Sequence, residues 1–282
     1  MTIDIRPALR LFALLPALAL AGCVTAGGSK QAASVAEIDN PEAANAQKEN
    51  IASLSEVVAR NPQDAQALNT RGAAFARAGR FPDAVADFSK AIQINPGFAP
   101  AYLNRGLAQR QMGKNDLAFG DFNRAIETDP NYAAAYLARG NLYRAQGDTQ
   151  SAMQDLSAAI KLSPTLAEAY HARGLIHQRE GQHALAVSDF DAALDRNPYV
   201  AAPYVGRGQS LIAQGKYEQA MEDFTAALNA DNRNADAWAG RGYLLDRQGK
   251  KAEAAEAIGR ARALNPNVVV PGEGERRSGF FG

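Results

Sequence analysis

The sequence holds a single cysteine, Cys23, in 282 residues. One cysteine excludes an intrachain disulfide and any metal centre built from several thiolates. Aromatic residues make up only 7% of the chain, with one tryptophan, a scarcity that suits alanine-rich helices better than aromatic-rich sheets. An excess of charge is missing too. The 30 basic side chains are matched by 30 acidic ones, so no bulk attraction exists for nucleic acid or an anionic membrane surface, and no nucleic-acid partner is expected. His171, His177 and His183 are spaced by six, whereas two ligands on one helical face need a spacing of three or four; no metal site is expected. No nucleophile elbow surrounds a serine, no glycine-rich loop suits a phosphate, and no carboxylate pair falls outside the regular pattern described below. The chain is therefore not expected to be an enzyme, and no cofactor is implied.

No apolar run reaches the roughly 20 residues that a membrane-spanning helix needs. The longest, Leu11 to Ala21, is interrupted by Pro16 and follows Arg6 and Arg10, which is the order of a secretory signal. Leu20, Ala21 and Gly22 then lead into Cys23 and resemble the lipobox of bacterial lipoproteins, so the resemblance implies cleavage after residue 22 and lipidation of Cys23. With about 0.8 kcal/mol for each buried methylene, two or three acyl chains hold a protein on a membrane essentially permanently. Val24 stands where an aspartate would resemble an inner-membrane retention signal, which favours the outer membrane and a fold facing the periplasm. Residues 23–40 are rich in Ala, Ser, Gly and polar groups without an apolar stripe and read as a flexible tether, with a typical span of about 20 to 25 Å.

The rest of the chain repeats itself. From Ala65 to Val268 it divides into six blocks of 34 residues without insertion or deletion. Position 8 is Gly in every block, as Gly72, Gly106, Gly140, Gly174, Gly208 and Gly242. Inside a helix such a residue costs up to about 1 kcal/mol relative to Ala, so it predicts the close approach of another helix. Position 15 is also always Gly, from Gly79 to Gly249, and suits a left-handed helix end. Positions 20 and 27 are always Ala, as at Ala84 and Ala91. Position 24 carries Phe88, Phe122, Leu156, Phe190, Phe224 and Ile258, and position 4 carries Leu68, Tyr102, Tyr136, Tyr170, Tyr204 and Trp238. Proline occupies position 32, as at Pro96, except in the fifth block, where Asn232 replaces it.

These positions resemble the tetratricopeptide repeat (TPR). The resemblance spans residues 65–268 and implies an all-α fold, a right-handed α-solenoid of six tandem helix pairs with a concave groove. Residues 41–64, with Leu54, Val57 and Pro62 in repeat register, are expected to form a capping helix, and residues 269–282 a loose tail.

Arginine stands at position 7 of all six repeats and aspartate at position 23 of the first five, from Arg71 and Asp87 onward. Such a ladder satisfies both charges. Its partners either share one repeat, leaving Arg241 opposite Ala257, or lie in consecutive repeats, leaving Arg71 over; the sequence admits both. The resemblance also places positions 2, 5, 9 and 12 of each first helix on the groove wall. The expected contact residues are Asn69, Leu103, Leu107, Arg110, Leu137, Asn141, Arg144, His171, Leu175, Gln178 and Gln209, with Asp236 and Asp246 giving the far end acidic character. Leucines mixed with arginine and asparagine suit an extended or helical peptide. The Lys, Asn and Arg clamp of chaperone-binding relatives is absent from positions 5 and 9. The expected function is thus a membrane-anchored scaffold that binds envelope proteins or peptides, such as cell-wall enzymes or components of pilus and secretin assembly. The alternative is a structural lipoprotein that self-associates, for example as a homodimer.

Overall fold

The computed structural model describes residues 41–272; the signal and tether segments, Cys23 and residues 273–282 lie outside them. Thirteen α-helices and no strand occur among the described residues. A single helix α1 (Pro41–Arg60) precedes six pairs: α2 (Ala65–Arg77) with α3 (Phe81–Ile94), α4 (Ala99–Gln111) with α5 (Asn115–Thr128), and α6 (Ala133–Gln146) with α7 (Thr149–Leu162). They continue as α8 (Ala167–Arg179) with α9 (His183–Arg196), α10 (Ala201–Ala213) with α11 (Tyr217–Ala230), and α12 (Ala235–Arg247) with α13 (Lys251–Leu264). No described helix is long and apolar enough to cross a membrane.

Local chemistry sets both kinds of turn. Within a pair, the position-15 glycine takes the left-handed conformation that other residues avoid: Gly147 has φ 83°, and the next N–H, of Asp148, donates to the Tyr143 carbonyl at 3.0 Å. Between pairs, a side chain at position 31 accepts from the backbone N–H two residues on, as Asn95 does from Gly97 at 3.0 Å and Asp129 from Asn131 at 3.0 Å. Asp231 makes the same turn to Arg233 at 2.9 Å, which is why the fifth repeat tolerates Asn232 where its neighbours carry proline.

Packing follows the small residues. Position 8 lies against position 24 of the same repeat so closely that a Cβ on Gly106 would meet Phe122 at 2.6 Å. Phe88, Phe122, Phe190 and Phe224 are fully buried, as are the alanines beneath them at positions 20 and 27. Each aromatic side chain contributes on the order of 2 to 3 kcal/mol by leaving water.

Contacts between pairs are asymmetric. Successive first helices touch one another, as α4 touches α6 and α6 touches α8, whereas successive second helices do not. The array therefore curves with α2, α4, α6, α8, α10 and α12 on its inner wall.

Both ends depart from the repeat. On α1, Val57, at the position where each full repeat buries an alanine, is 45% exposed, while Val58 is buried against the α2 side. At the other end the packed chain runs beyond Val268. Val270 is only 2% exposed and covers Ala239 and Ala261 together with Trp238 and Tyr243, so the first residues of the expected tail close the last helix pair instead.

Candidate functional site

The inner wall is where a partner could be met, and the arginine ladder fixes its geometry. Arg71, Arg105, Arg139, Arg173 and Arg207 each hold the aspartate of their own repeat by two parallel hydrogen bonds, from Nε to Oδ2 and Nη2 to Oδ1, between 2.5 and 2.9 Å. Pairing thus lies within one repeat, and Arg241 faces Ala257. A third donor reaches the preceding repeat: Nη1 of Arg105 binds Ser89 at 3.1 Å, that of Arg139 binds Asn123 at 2.8 Å, that of Arg173 binds Ser157 at 3.4 Å and that of Arg207 binds Asp191 at 2.5 Å. These position-25 acceptors escaped the sequence reading, although a small polar residue at one register position in successive repeats was the available signal. The aspartate hydrogen bonds raise the arginine pKa values further above their ordinary range, against the opposing effect of burial. Both charges are neutralised inside the fold, so the ladder is architecture and not a binding surface. Arg241 stacks on the Trp238 ring at 5.5 Å instead, beside a cavity of about 250 Å³ lined by both residues, Leu245 and Ala257.

The expected groove residues fall into three groups. Position 5 is largely covered in repeats 1, 2 and 4, where Asn69, Leu103 and His171 are 8%, 6% and 9% exposed. The reason is the next repeat, whose first helix leans over this position; Asn104 of α4 donates to Asn69 Oδ1 at 3.0 Å, and Leu103 packs into the core with Phe122 and Leu142. These three are therefore mostly wall and little surface. His171 lies 5.8 Å from the Phe190 ring, and burial together with the charge of Arg144 lowers its pKa to about 4, so it is neutral at pH 7.

Leu107, Arg110, Leu137, Asn141, Arg144, Leu175 and Gln178 are half-buried. Gln178 is spent on the fold, donating to the Gly206 carbonyl at 2.9 Å and to Ser210 Oγ at 3.0 Å, while Asn141 accepts from Arg144 Nη2 at 3.4 Å. Gln209 is exposed. At the far end Asp236 is exposed, and Asp246 pairs with Lys251 at 2.7 Å. The structure therefore brings together a short strip in repeats 2 to 4: Leu107, Leu137 and Leu175 with Arg110 and Arg144 beside them. Among the described residues no group of three or more His, Cys, Asp or Glu side chains could hold a metal ion. What the strip offers is apolar contact and positive charge.

Models described as tetratricopeptide repeat match residues 65–98, 99–132, 122–154, 167–199 and 205–268, and one described as TPR repeat matches residues 140–181. No curated protein sequence matches the chain. Among solved structures, a chain of the APC/C hetero-tetramer Cut9–Hcn1 is similar with TM-score 0.71 and 18% identity over 79% of this chain and 44% of that one. This chain thus spans less than half of the Cut9–Hcn1 chain. A structure of pilF from Pseudomonas aeruginosa is similar with TM-score 0.68 and 19% identity, over 76% of this chain and 97% of that one. YrrB, described as a TPR protein with an unusual peptide-binding site, has TM-score 0.51 and 23% identity over 64% of this chain and 93% of its own. At these identities the likeness is one of fold.

Proposed function

Since the chain belongs to the tetratricopeptide repeat family, we propose that it is a lipid-anchored scaffold of a bacterial cell envelope whose inner wall binds a segment of a partner protein. The observation that carries this reading is the strip on α4, α6 and α8: three partly accessible leucines in a row, with two arginines that the ladder does not use. The peptide-binding description of YrrB supports the same use of the fold. Lipidation at Cys23 and a periplasmic position on the outer membrane rest on the sequence of residues 1–24. Cell-wall enzymes and components of pilus or secretin assembly are the partner classes that such a location provides.

The test is affinity capture from detergent-solubilised envelopes with the wild-type chain and a Leu107→Arg, Leu137→Arg variant. Both positions are partly accessible, unlike Leu103, so the variant keeps its thermal melt. Proteins lost only from the variant are groove partners; an identical set from both baits removes the groove from the function. Cys23→Ser separates the anchor from the groove, because it releases the chain from membranes and leaves capture intact.

A second reading, self-association, is favoured by α1, where Val57 is 45% exposed although its counterparts in the full repeats are buried alanines. A molecular mass that rises with concentration, and stops rising in Val57→Glu, supports it.

A further inference from the structure

The sixth rung of the ladder follows the plan of the others but lacks its carboxylate. Arg105, Arg139, Arg173 and Arg207 lie over the ring at position 4 of their own repeat, at 5.8, 5.7, 5.9 and 5.7 Å, while Nε and Nη2 hold the aspartate at position 23. Arg241 lies over the Trp238 ring at 5.5 Å in the corresponding place, so its fork addresses Ala257. Among the described residues Arg241 makes no hydrogen bond and no ion pair. Thr225, at position 25 of the preceding repeat, does not serve it either, because its hydroxyl donates to the Met221 carbonyl at 2.8 Å. Arg241 and Ala257 both line the cavity of about 250 Å³, so the space that an aspartate fills in five repeats is open in the sixth. Leu245 and Ala257, 4% and 3% exposed, give the cavity an apolar lining. The Trp238 ring lines it too and is held by its Nε1, which donates to the Asn232 carbonyl at 2.9 Å. Of the other charged groups at the cavity, Arg260 binds Glu256 at 2.7 Å and Glu253 is exposed to solvent.

We infer that the cavity between α12 and α13 is a binding site for a small monocarboxylic acid, whose carboxylate takes two hydrogen bonds from Arg241 in the place of the missing aspartate and whose apolar body lies against Trp238 and Leu245. The site uses none of the groove residues named above and stands whether or not those bind a peptide. A guanidinium presents its N–H donors in one plane, and stacking on an aromatic face leaves them directed outward for a carboxylate. Such a paired, charge-assisted contact is among the stronger hydrogen-bonded interactions, and it is strengthened where neighbouring apolar groups exclude water. Drug-sized ligands occupy pockets of about 300 to 1,000 Å³, so a cavity of about 250 Å³ takes a smaller molecule. One negative charge suits it better than two, because a second carboxylate would meet Glu253 and Glu256.

The chain has one tryptophan, so its fluorescence reports on this site. The experiment titrates the full chain, in nonionic detergent micelles at pH 7, with butyrate, with its uncharged analogue butyramide, with the dicarboxylate succinate and with an aspartate capped as an amide at both ends. Butyrate is expected to change the Trp238 emission saturably, butyramide to bind about tenfold or more weakly, and succinate to bind less tightly than butyrate. Arg241→Gln should weaken butyrate binding about tenfold or more. Ala257→Asp sets a carboxylate of the protein itself before the fork, so it should abolish the response to butyrate while melting at the wild-type temperature or above. That variant keeps the test decisive if Arg241→Gln does not fold. A flat titration with butyrate, equal binding of butyramide, or a butyrate response that survives in a folded Ala257→Asp overturns the site. Succinate binding as tightly as butyrate overturns the restriction to a single carboxylate. Tighter binding of the capped aspartate than of butyrate assigns the carboxylate to a protein side chain and overturns the free acid as its source.

Discussion

Arg105 and Asp121 join the two helices of one repeat through hydrogen bonds of 2.8 and 2.7 Å, and the same arginine extends a further N–H to Ser89 of the repeat before it. One side chain therefore ties a repeat internally and to its neighbour. Removing only the carboxylate leaves a cation with no partner of opposite sign. Asp121→Asn is expected to lower unfolding stability in urea by about 2 to 4 kcal/mol, whereas Arg105→Met combined with Asp121→Leu should recover most of the loss. Equal losses in the single and double variants would show that the pair stabilises more than the packing that replaces it.

The sixth repeat supplies the complementary test. Arg241 faces Ala257 where five other repeats present an aspartate. Ala257→Asp should complete the rung and slow hydrogen exchange in α12 and α13, with a gain of about 1 kcal/mol. A gain confined to those helices is expected, because each repeat feels mainly its neighbours.

Glycine at position 8 gives a graded pair of substitutions. A Cβ on Gly106 would meet the Phe122 ring at 2.6 Å, but on Gly140 it would meet Leu156 no closer than 3.1 Å. Gly106→Ala should cost about 1 to 3 kcal/mol through overpacking. Gly140→Ala should cost less and approach neutrality, since alanine favours the helix by up to about 1 kcal/mol. Paired thermal melts decide the order.

His171 makes stability depend on pH. Its folded pKa lies near 4, against 6.5 for an unperturbed imidazole. Between those values the unfolded chain binds a proton that the folded chain refuses, so stability is full above pH 6.5 and declines as pH falls toward 4. The loss is of order 2 to 3 kcal/mol. His171→Asn should flatten the profile in that window, and the imidazole proton shifts of the wild type should titrate near pH 4.

The fold was legible because its determinants are local and repeated. Gly147 and Pro96 constrain the backbone wherever they stand, and Ala84 or Gly106 admits only a close neighbour. The wall was legible by half. Positions 9 and 12 place Leu107, Arg110 and Arg144 as expected, but position 5 depends on how far the next first helix leans in, and that tilt is a tertiary quantity. It covers Leu103 and His171. The ladder was ambiguous for a related reason. An arginine has enough donors for two neighbours, and the structure uses both, with the aspartate in the same repeat and the position-25 acceptor in the preceding one.

Those third contacts are unequal, and the inequality has a mechanical meaning for an array pulled along its length. Arg207 grips a carboxylate, Asp191, at 2.5 Å, while Arg173 reaches only a hydroxyl, Ser157, at 3.4 Å. Under tension along its length the array should part between the third and fourth repeats before it parts between the fourth and fifth. The weaker of these two joints lies beside the strip of Leu137, Arg144 and Leu175, so strain would disturb the alignment of those side chains before it reaches the joint behind them.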